Sequence, residues 1–140
     1  MQTTVKLINV FIPENGLHLL IRIKIARKYH YLIIDTGASE SVLDVTLPRY
    51  LFSSAKVNNQ VQAYGIQSEG IKIKISHLKS LQIGSLQLKN VSFHLVDLSQ
   101  IKELYSSLTN FKISGLIGSD FLNKYKATIS YKTNQLILRY

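Results

Sequence analysis

The sequence contains no cysteine, which removes disulfides, thiolate nucleophiles and thiolate metal sites together. Its histidines, His18, His30, His77 and His94, are scattered, with no i,i+4 pair and no acidic cluster beside them, so the signatures of a zinc site are missing. No metal and no cofactor is expected. Proline and glycine are sparse, at two and seven of 140 residues. No Gly/Pro/Ser-rich tract divides the chain, and the expectation is one domain over residues 1–140. Hydrophobic residues at 46% supply one compact core. Long apolar runs are also lacking: Leu19 to Ile21 and Tyr31 to Ile34 fall far short of the roughly 18 to 20 residues that cross a bilayer. The start of the chain lacks the basic segment and apolar run of a signal peptide. No membrane association and a cytoplasmic location are expected.

Acidic residues are few, 8 against 17 Lys and Arg, for a net charge of +9. Such an excess raises the question of a polyanionic partner. In Ile21-Arg22-Ile23-Lys24-Ile25 and Ile71-Lys72-Ile73-Lys74-Ile75, however, the cations alternate with isoleucine, the period of a half-buried strand. They read as the wet faces of strands. The remaining cations are spread along the chain, without the aromatic-and-basic signature of an RNA-binding module. Nucleic acid is not the expected partner.

Alternation continues along most of the chain. Residues 5–10 and Leu17 to Ala26 flank a Pro13-Glu14-Asn15-Gly16 turn and form a predicted hairpin. A tight connection at Arg27 and Lys28 leads into an apolar strand, Tyr29 to Ile34, that stops at Asp35-Thr36-Gly37. Residues 42–51 are expected to hold a short strand and a helical turn near Pro48. Val57 to Tyr64 and Ile71 to His77 read as a hairpin around Gly65 and Gly70. Leu81 to Ile83, Leu86 to Leu88 and Val91 to Leu95 read as further strands. Ile101, Leu104, Tyr105 and Leu108 have the spacing of an amphipathic helix, with Asp97 and Ser99 available as caps. Ser119 to Tyr125 reads as a short helix, capped by Ser119 and with Asp120 suited to its positive end. A hairpin from Ala127 to Arg139 closes the chain. Nine or ten short strands and two helices predict a mainly β closed or sandwiched barrel.

Asp35 draws attention because a carboxylate follows Tyr31-Leu32-Ile33-Ile34 and precedes a hydroxyl and a glycine. Gly37 permits close backbone approach, and Thr36 can tie the turn in place. An ordinary Asx-turn at a strand end accounts for the bare tripeptide equally well. Asp44, Asp97 and Asp120 are the other aspartates, and none precedes Thr/Ser-Gly. A dyad of such aspartates would need a second chain, placed by a symmetric homodimer.

Tyr31 to Ser39 and Gly115 to Leu122, read as Tyr-Leu-Ile-Ile-Asp-Thr-Gly-Ala-Ser and Gly-Leu-Ile-Gly-Ser-Asp-Phe-Leu, together resemble the two hallmark segments of retropepsin-like aspartic proteases. The resemblance runs from about Leu17 to Arg139. Its closing hairpin is similar to bacterial and DNA-damage-inducible-type retropepsin domains rather than to the shorter viral enzymes. The resemblance implies a closed acid-protease barrel with a flap hairpin and one or two short helices. It implies that Asp35 is the catalytic aspartate of a homodimeric endopeptidase acting on extended peptides. By the same resemblance, Thr36, Gly37 and Ala38 support the active-site loop, and Tyr64, Gly65 and Ile66 belong to the flap. Leu116 and Ile117 line a substrate pocket, although apolar residues there pack into a core equally well. Gly118 and Asp120 belong to the second hallmark segment. Where many viral members carry a carboxylate and an arginine that pair, this chain has Ser39 and Ser119, so viral-like dimer stability is not implied.

Three other readings stand beside this one. A retropepsin-like fold without catalysis would serve as a dimerisation or peptide-binding module. A polyanion-binding barrel would follow from the charge and would lose affinity steeply with salt. A serine nucleophile at Ser39 or Ser41 lacks both a Gly-x-Ser-x-Gly context and a local base.

Overall fold

The computed structural model describes residues 1–53 and 74–140. Among these the chain forms β1 (Gln2–Lys6), β2 (Ile8–Ile12), β3 (Gly16–Ile25), β4 (Lys28–Ile34), β5 (Val42–Asp44), β6 (Phe52–Ser53), β7 (Lys74–Ile83), β8 (Leu86–Val96), α1 (Ser99–Leu108), β9 (Ile113–Ile117), α2 (Ser119–Lys124), β10 (Thr128–Ser130) and β11 (Gln135–Arg139). The larger sheet has the order β2-β3-β4-β9-β5-β8-β7-β6, and a further pairing of β3 with β7 closes its middle six strands into a barrel. A second sheet, β1-β11-β10, joins the two ends of the chain.

The alternation at residues 21–25 becomes the wall of this barrel. Ile21, Ile23 and Ile25 are buried inside it with Leu32, Leu43, Leu78, Leu81 and Phe93, each such side chain contributing about 1.5 to 3 kcal/mol of burial. β4 is apolar on both faces for a different reason. Leu32 and Ile34 face the barrel core, whereas Ile33 joins Leu20, Val10, Ile12, Ile113 and Tyr105 in a second core that α1 helps to cover. Continuous apolar sequence is what burial on two sides requires. Among the described residues no helix is long and apolar enough to cross a bilayer.

Several local expectations are corrected by tertiary contacts. Residues 5–10 are not one strand, because the buried Leu7 donates its N–H to the Asn134 carbonyl at 2.8 Å and the chain passes there from one sheet to the other. The tight turn lies one residue earlier than expected, at Ala26 and Arg27, both with positive φ of 48° and 68°. That is the type I′ sense matching strand twist. The segments 74–77 and 81–83 form one strand, β7, and residues 86–96 form one strand, β8, since the two pair over nearly their full length. α1 starts after Leu98 without a side-chain cap, while Asp97 Oδ1 accepts the Ser99 N–H at 2.8 Å. The expected strand Val57 to Tyr64, the start of Ile71 to His77 and the flap residues between them lie outside the described residues.

One partly buried ion pair fastens α1 to the barrel. Asp44, with its side chain 2% exposed, accepts a hydrogen bond from Lys102 Nζ at 2.6 Å, one from the Thr46 hydroxyl and one from the Leu98 N–H at 3.2 Å. Burial alone would raise the Asp44 pKa, but these donors and the Lys102 charge outweigh it and hold the carboxyl below its ordinary value of 3.8. A carboxyl held low in the folded state favours folding above its unfolded pKa, and that contribution is lost as pH falls through the lower folded value. Denaturant unfolding is therefore expected to show a stability loss below about pH 3.8 that is smaller in Asp44→Asn. Equal acid sensitivity in both proteins would show that the pair does not contribute.

Candidate active site

The sheet itself places Asp35. β4 and β9 run parallel, with Ile33 opposite Leu116 and Ile34 opposite Ile117. The Asp35 N–H then extends this ladder by one bond, to the Ile117 carbonyl at 2.9 Å. Beyond it the chain turns at once. Ala38 N–H reaches the Asp35 carbonyl at 3.2 Å, and Gly37 N–H donates to Asp35 Oδ1 at 3.0 Å. One carboxylate oxygen is thus fixed by the backbone. Asp35 is half-buried, while Thr36 and Gly37 are exposed.

The second segment meets the first through four hydrogen bonds. Ser119 N–H donates to the Ala38 carbonyl at 2.7 Å. Gly118 N–H donates to Ser41 Oγ at 2.9 Å, and the Ser41 hydroxyl donates in turn to Asp120 Oδ1 at 2.7 Å. Asp120 Oδ2 also accepts the Ser41 N–H at 3.0 Å. Asp120 is therefore more than a charge at a helix start, because it ties the loop after Asp35 to the first turn of α2. The expected Ser119 cap does not form: the N-cap is Gly118, and no side chain caps the helix. Ser41 is buried and engaged in this network, which leaves its oxygen no role as a nucleophile.

Two glycines permit this approach. A Cβ on Gly118 would lie 2.7 Å from the Ala38 carbonyl oxygen and 2.8 Å from that of Glu40. At φ −99° its conformation is open to any residue, so space alone excludes a side chain. A Cβ on Gly115 would fall on the Val42 carbonyl oxygen, where β5 pairs with β9.

Asp35 and Thr36 open onto a cleft of about 450 Å³ walled by Leu17, His18, Leu19, Ile101, Leu116, Ile129 and Tyr131, among others. Leu116 faces this cleft. Ile117 is fully buried in the barrel core and does not line it. A larger cavity of about 540 Å³ lies elsewhere and has no carboxylate in its walls. Chemistry rather than size singles out the Asp35 cleft: one carboxylate among mostly aliphatic walls. His18, which the sequence did not single out, is held there by a 2.5 Å hydrogen bond between its Nδ1 and Tyr105 Oη. Burial pushes the Tyr105 phenol up to about 12, so it stays neutral near pH 7. These partners are 87 positions apart, and no local pattern announces them. Among the described residues no three His, Asp or Glu side chains are grouped to hold a metal ion.

A closed six-stranded barrel with Asp-Thr-Gly leaving one parallel strand and a Gly-to-helix turn leaving its neighbour defines the retropepsin-like aspartic protease class. Solved structures agree on the fold. A retropepsin-like aspartic protease from Rickettsia conorii superposes with a TM-score of 0.56 at 20% identity, covering 99% of this chain and 90% of that one. The retroviral protease-like domain of Ddi1 from Leishmania major gives 0.56 at 16% identity, over 86% and 87% of the two chains. No curated protein sequence matches the chain. The family model described as gag-polyprotein putative aspartyl protease matches residues 21–124, and the chain belongs to that family.

Proposed function

We propose that this protein is an aspartic endopeptidase, one domain over residues 1–140, whose dyad is assembled from Asp35 of two identical copies. The observation that carries this reading is the fixing of Asp35 at the mouth of an aliphatic cleft, with its main chain held by β9 and one oxygen held by Gly37 N–H. Each copy has a single Asp-Thr-Gly, and the exposed Thr36 and Gly37 are available to meet their counterparts across a two-fold axis. Ala38, through its carbonyl, holds that loop to the second segment.

The chemistry follows from the pair. Two carboxyl groups about 3 Å apart cannot both ionise cheaply, so they share one proton and titrate together, as is usual for aspartic proteases. The ionised member takes a proton from water, which attacks the peptide carbonyl. The protonated member donates to the carbonyl oxygen, and when the resulting gem-diol collapses the C–N bond breaks as the dyad returns the proton taken from water to the departing amine nitrogen. No metal and no acyl-enzyme takes part. In the same reading Tyr64, Gly65 and Ile66 form a flap over an extended peptide, excluding water and adding main-chain hydrogen bonds. Leu116 and the neighbouring aliphatic walls favour apolar side chains beside the cleaved bond.

A diverse peptide library incubated with the protein from pH 4 to pH 7 and read by mass spectrometry tests this. Cleavage next to apolar residues, strongest at mildly acidic pH and dependent on a dimer in sedimentation, is expected. Turnover that rises steadily into alkaline pH, or that persists in a demonstrably monomeric sample, would point to other chemistry. No cleavage by a confirmed dimer would favour a non-catalytic peptide-binding module.

A further inference from the structure

The outer face of the β3–β4 hairpin changes character along its length. Leu20 and Ile33, a cross-strand pair, are buried in the core that α1 helps to cover. The next two pairs on that face, Arg22 with Tyr31 and Lys24 with Tyr29, border an open cavity of about 540 Å³. Lys6 from β1 faces the same space, and Ile8 adds apolar wall. Tyr29 is 55% exposed. The Arg22 guanidinium lies 4.2 Å from the centre of its ring, and Lys24 Nζ lies 5.0 Å from it.

Three features of this cavity exceed what a solvated strand face requires. Three cations converge on it, and no Asp or Glu lines it. Among the described residues none of the three has an ion-pair partner, whereas Lys102 does. Two of the cations are held against one aromatic ring, so like charges are gathered instead of dispersed, at a cost an anion would reverse. The volume lies within the range of small-molecule sites and greatly exceeds the need of a bare oxyanion.

We propose that this cavity binds a nucleoside phosphate, its phosphate held by Arg22, Lys24 and Lys6 and its base packed against Tyr29 or Tyr31. Arginine and lysine supply charge-assisted donors to phosphate oxygens. An exposed tyrosine ring flanked by cations is the surface on which bases stack. The same chemistry can come from a free nucleotide or from one residue of a single strand. The site stands apart from Asp35, at the opposite end of β4, and does not depend on the proposed proteolysis.

The test is titration of the full chain with AMP, inorganic phosphate, adenosine and a short oligoadenylate, followed by amide and tyrosine NMR shifts. Saturable AMP binding that moves Arg22, Tyr29 and Tyr31 is expected, with adenosine and phosphate each much weaker. Arg22→Gln with Lys24→Gln should weaken AMP at least about tenfold at unchanged Tm, and Tyr29→Leu should weaken AMP more than phosphate. Asp35→Asn should bind AMP as the parent does. An oligoadenylate that binds no better than AMP identifies the free nucleotide as the source, and one that binds far more tightly identifies a strand. No AMP binding at about 5 mM, phosphate binding as well as AMP, or full binding by the double variant would each overturn the proposal.

Discussion

Asp35→Asn is expected to fold normally and to lose peptide hydrolysis by about a thousandfold or more, since general acid–base assistance alone contributes some 10² to 10⁴. The substitution is nearly isosteric. Its side-chain oxygen can still accept the Gly37 N–H that Asp35 Oδ1 accepts at 3.0 Å, and the main-chain bond to Ile117 is untouched. In the proposed mechanism the proton shared by the dyad is lost, however, because an amide neither takes a proton from water nor passes one to the carbonyl oxygen. In the proposed homodimer, symmetry sharpens the effect, since one gene change removes both carboxylates. Cleavage rates on a peptide identified from the library, measured beside Tm and sedimentation, check this. A variant with parental Tm and parental turnover would remove Asp35 from the mechanism.

Gly118→Val should severely damage the frame of the site. The new Cβ would press on two carbonyl oxygens, those of Ala38 and Glu40, at 2.7 and 2.8 Å. Neither belongs to a flexible side chain that could swing away. Relief requires moving the loop after Asp35 or the start of α2, and so breaks the bonds of Ser119 to Ala38 and of Gly118 to Ser41. Overpacking of this kind costs about 3 kcal/mol, a fall in Tm of roughly 10 °C for a chain of this size. Ser119→Ala is the contrast: Ser119 is exposed and its hydroxyl caps nothing, so a change within about 0.5 kcal/mol is expected. Thermal melts of the two variants check both statements. A Gly118→Val protein as stable as the parent would mean that the two segments do not pack as described.

What could be read in advance had a local cause. Alternation of isoleucine with cations at residues 21–25 is visible because strand side chains repeat every two residues, and the structure buries those isoleucines. The apolar run before Asp35 ended where the sheet ends. The Gly-Leu-Ile-Gly segment and the helix after it were legible from the order of residue types, as was the helix at 99–108 from its spacing. Errors arose where a distant partner decided. Leu7 looks like any strand residue, yet its bond to Asn134 divides β1 from β2. Ser119 looks like a cap, yet its backbone is taken by Ala38. Ser41 carries no local signal for its place between Gly118 and Asp120, because those contacts span 77 and 79 positions.

The sequence by itself determined the period of the strands, the end of the apolar strand at Asp35, the absence of thiol chemistry and the single copy of Asp-Thr-Gly. Each is a property of composition or of neighbours along the chain. Only the tertiary structure decided that β4 and β9 lie parallel with Asp35 one bond beyond Ile117, that Leu116 faces the cleft while Ile117 does not, and that His18 enters it on the hydroxyl of Tyr105. The physical reason is that each depends on a pairing register or a packing contact between residues far apart in sequence. A local pattern says which face of a strand is apolar. It does not say which distant strand, loop or helix will cover that face.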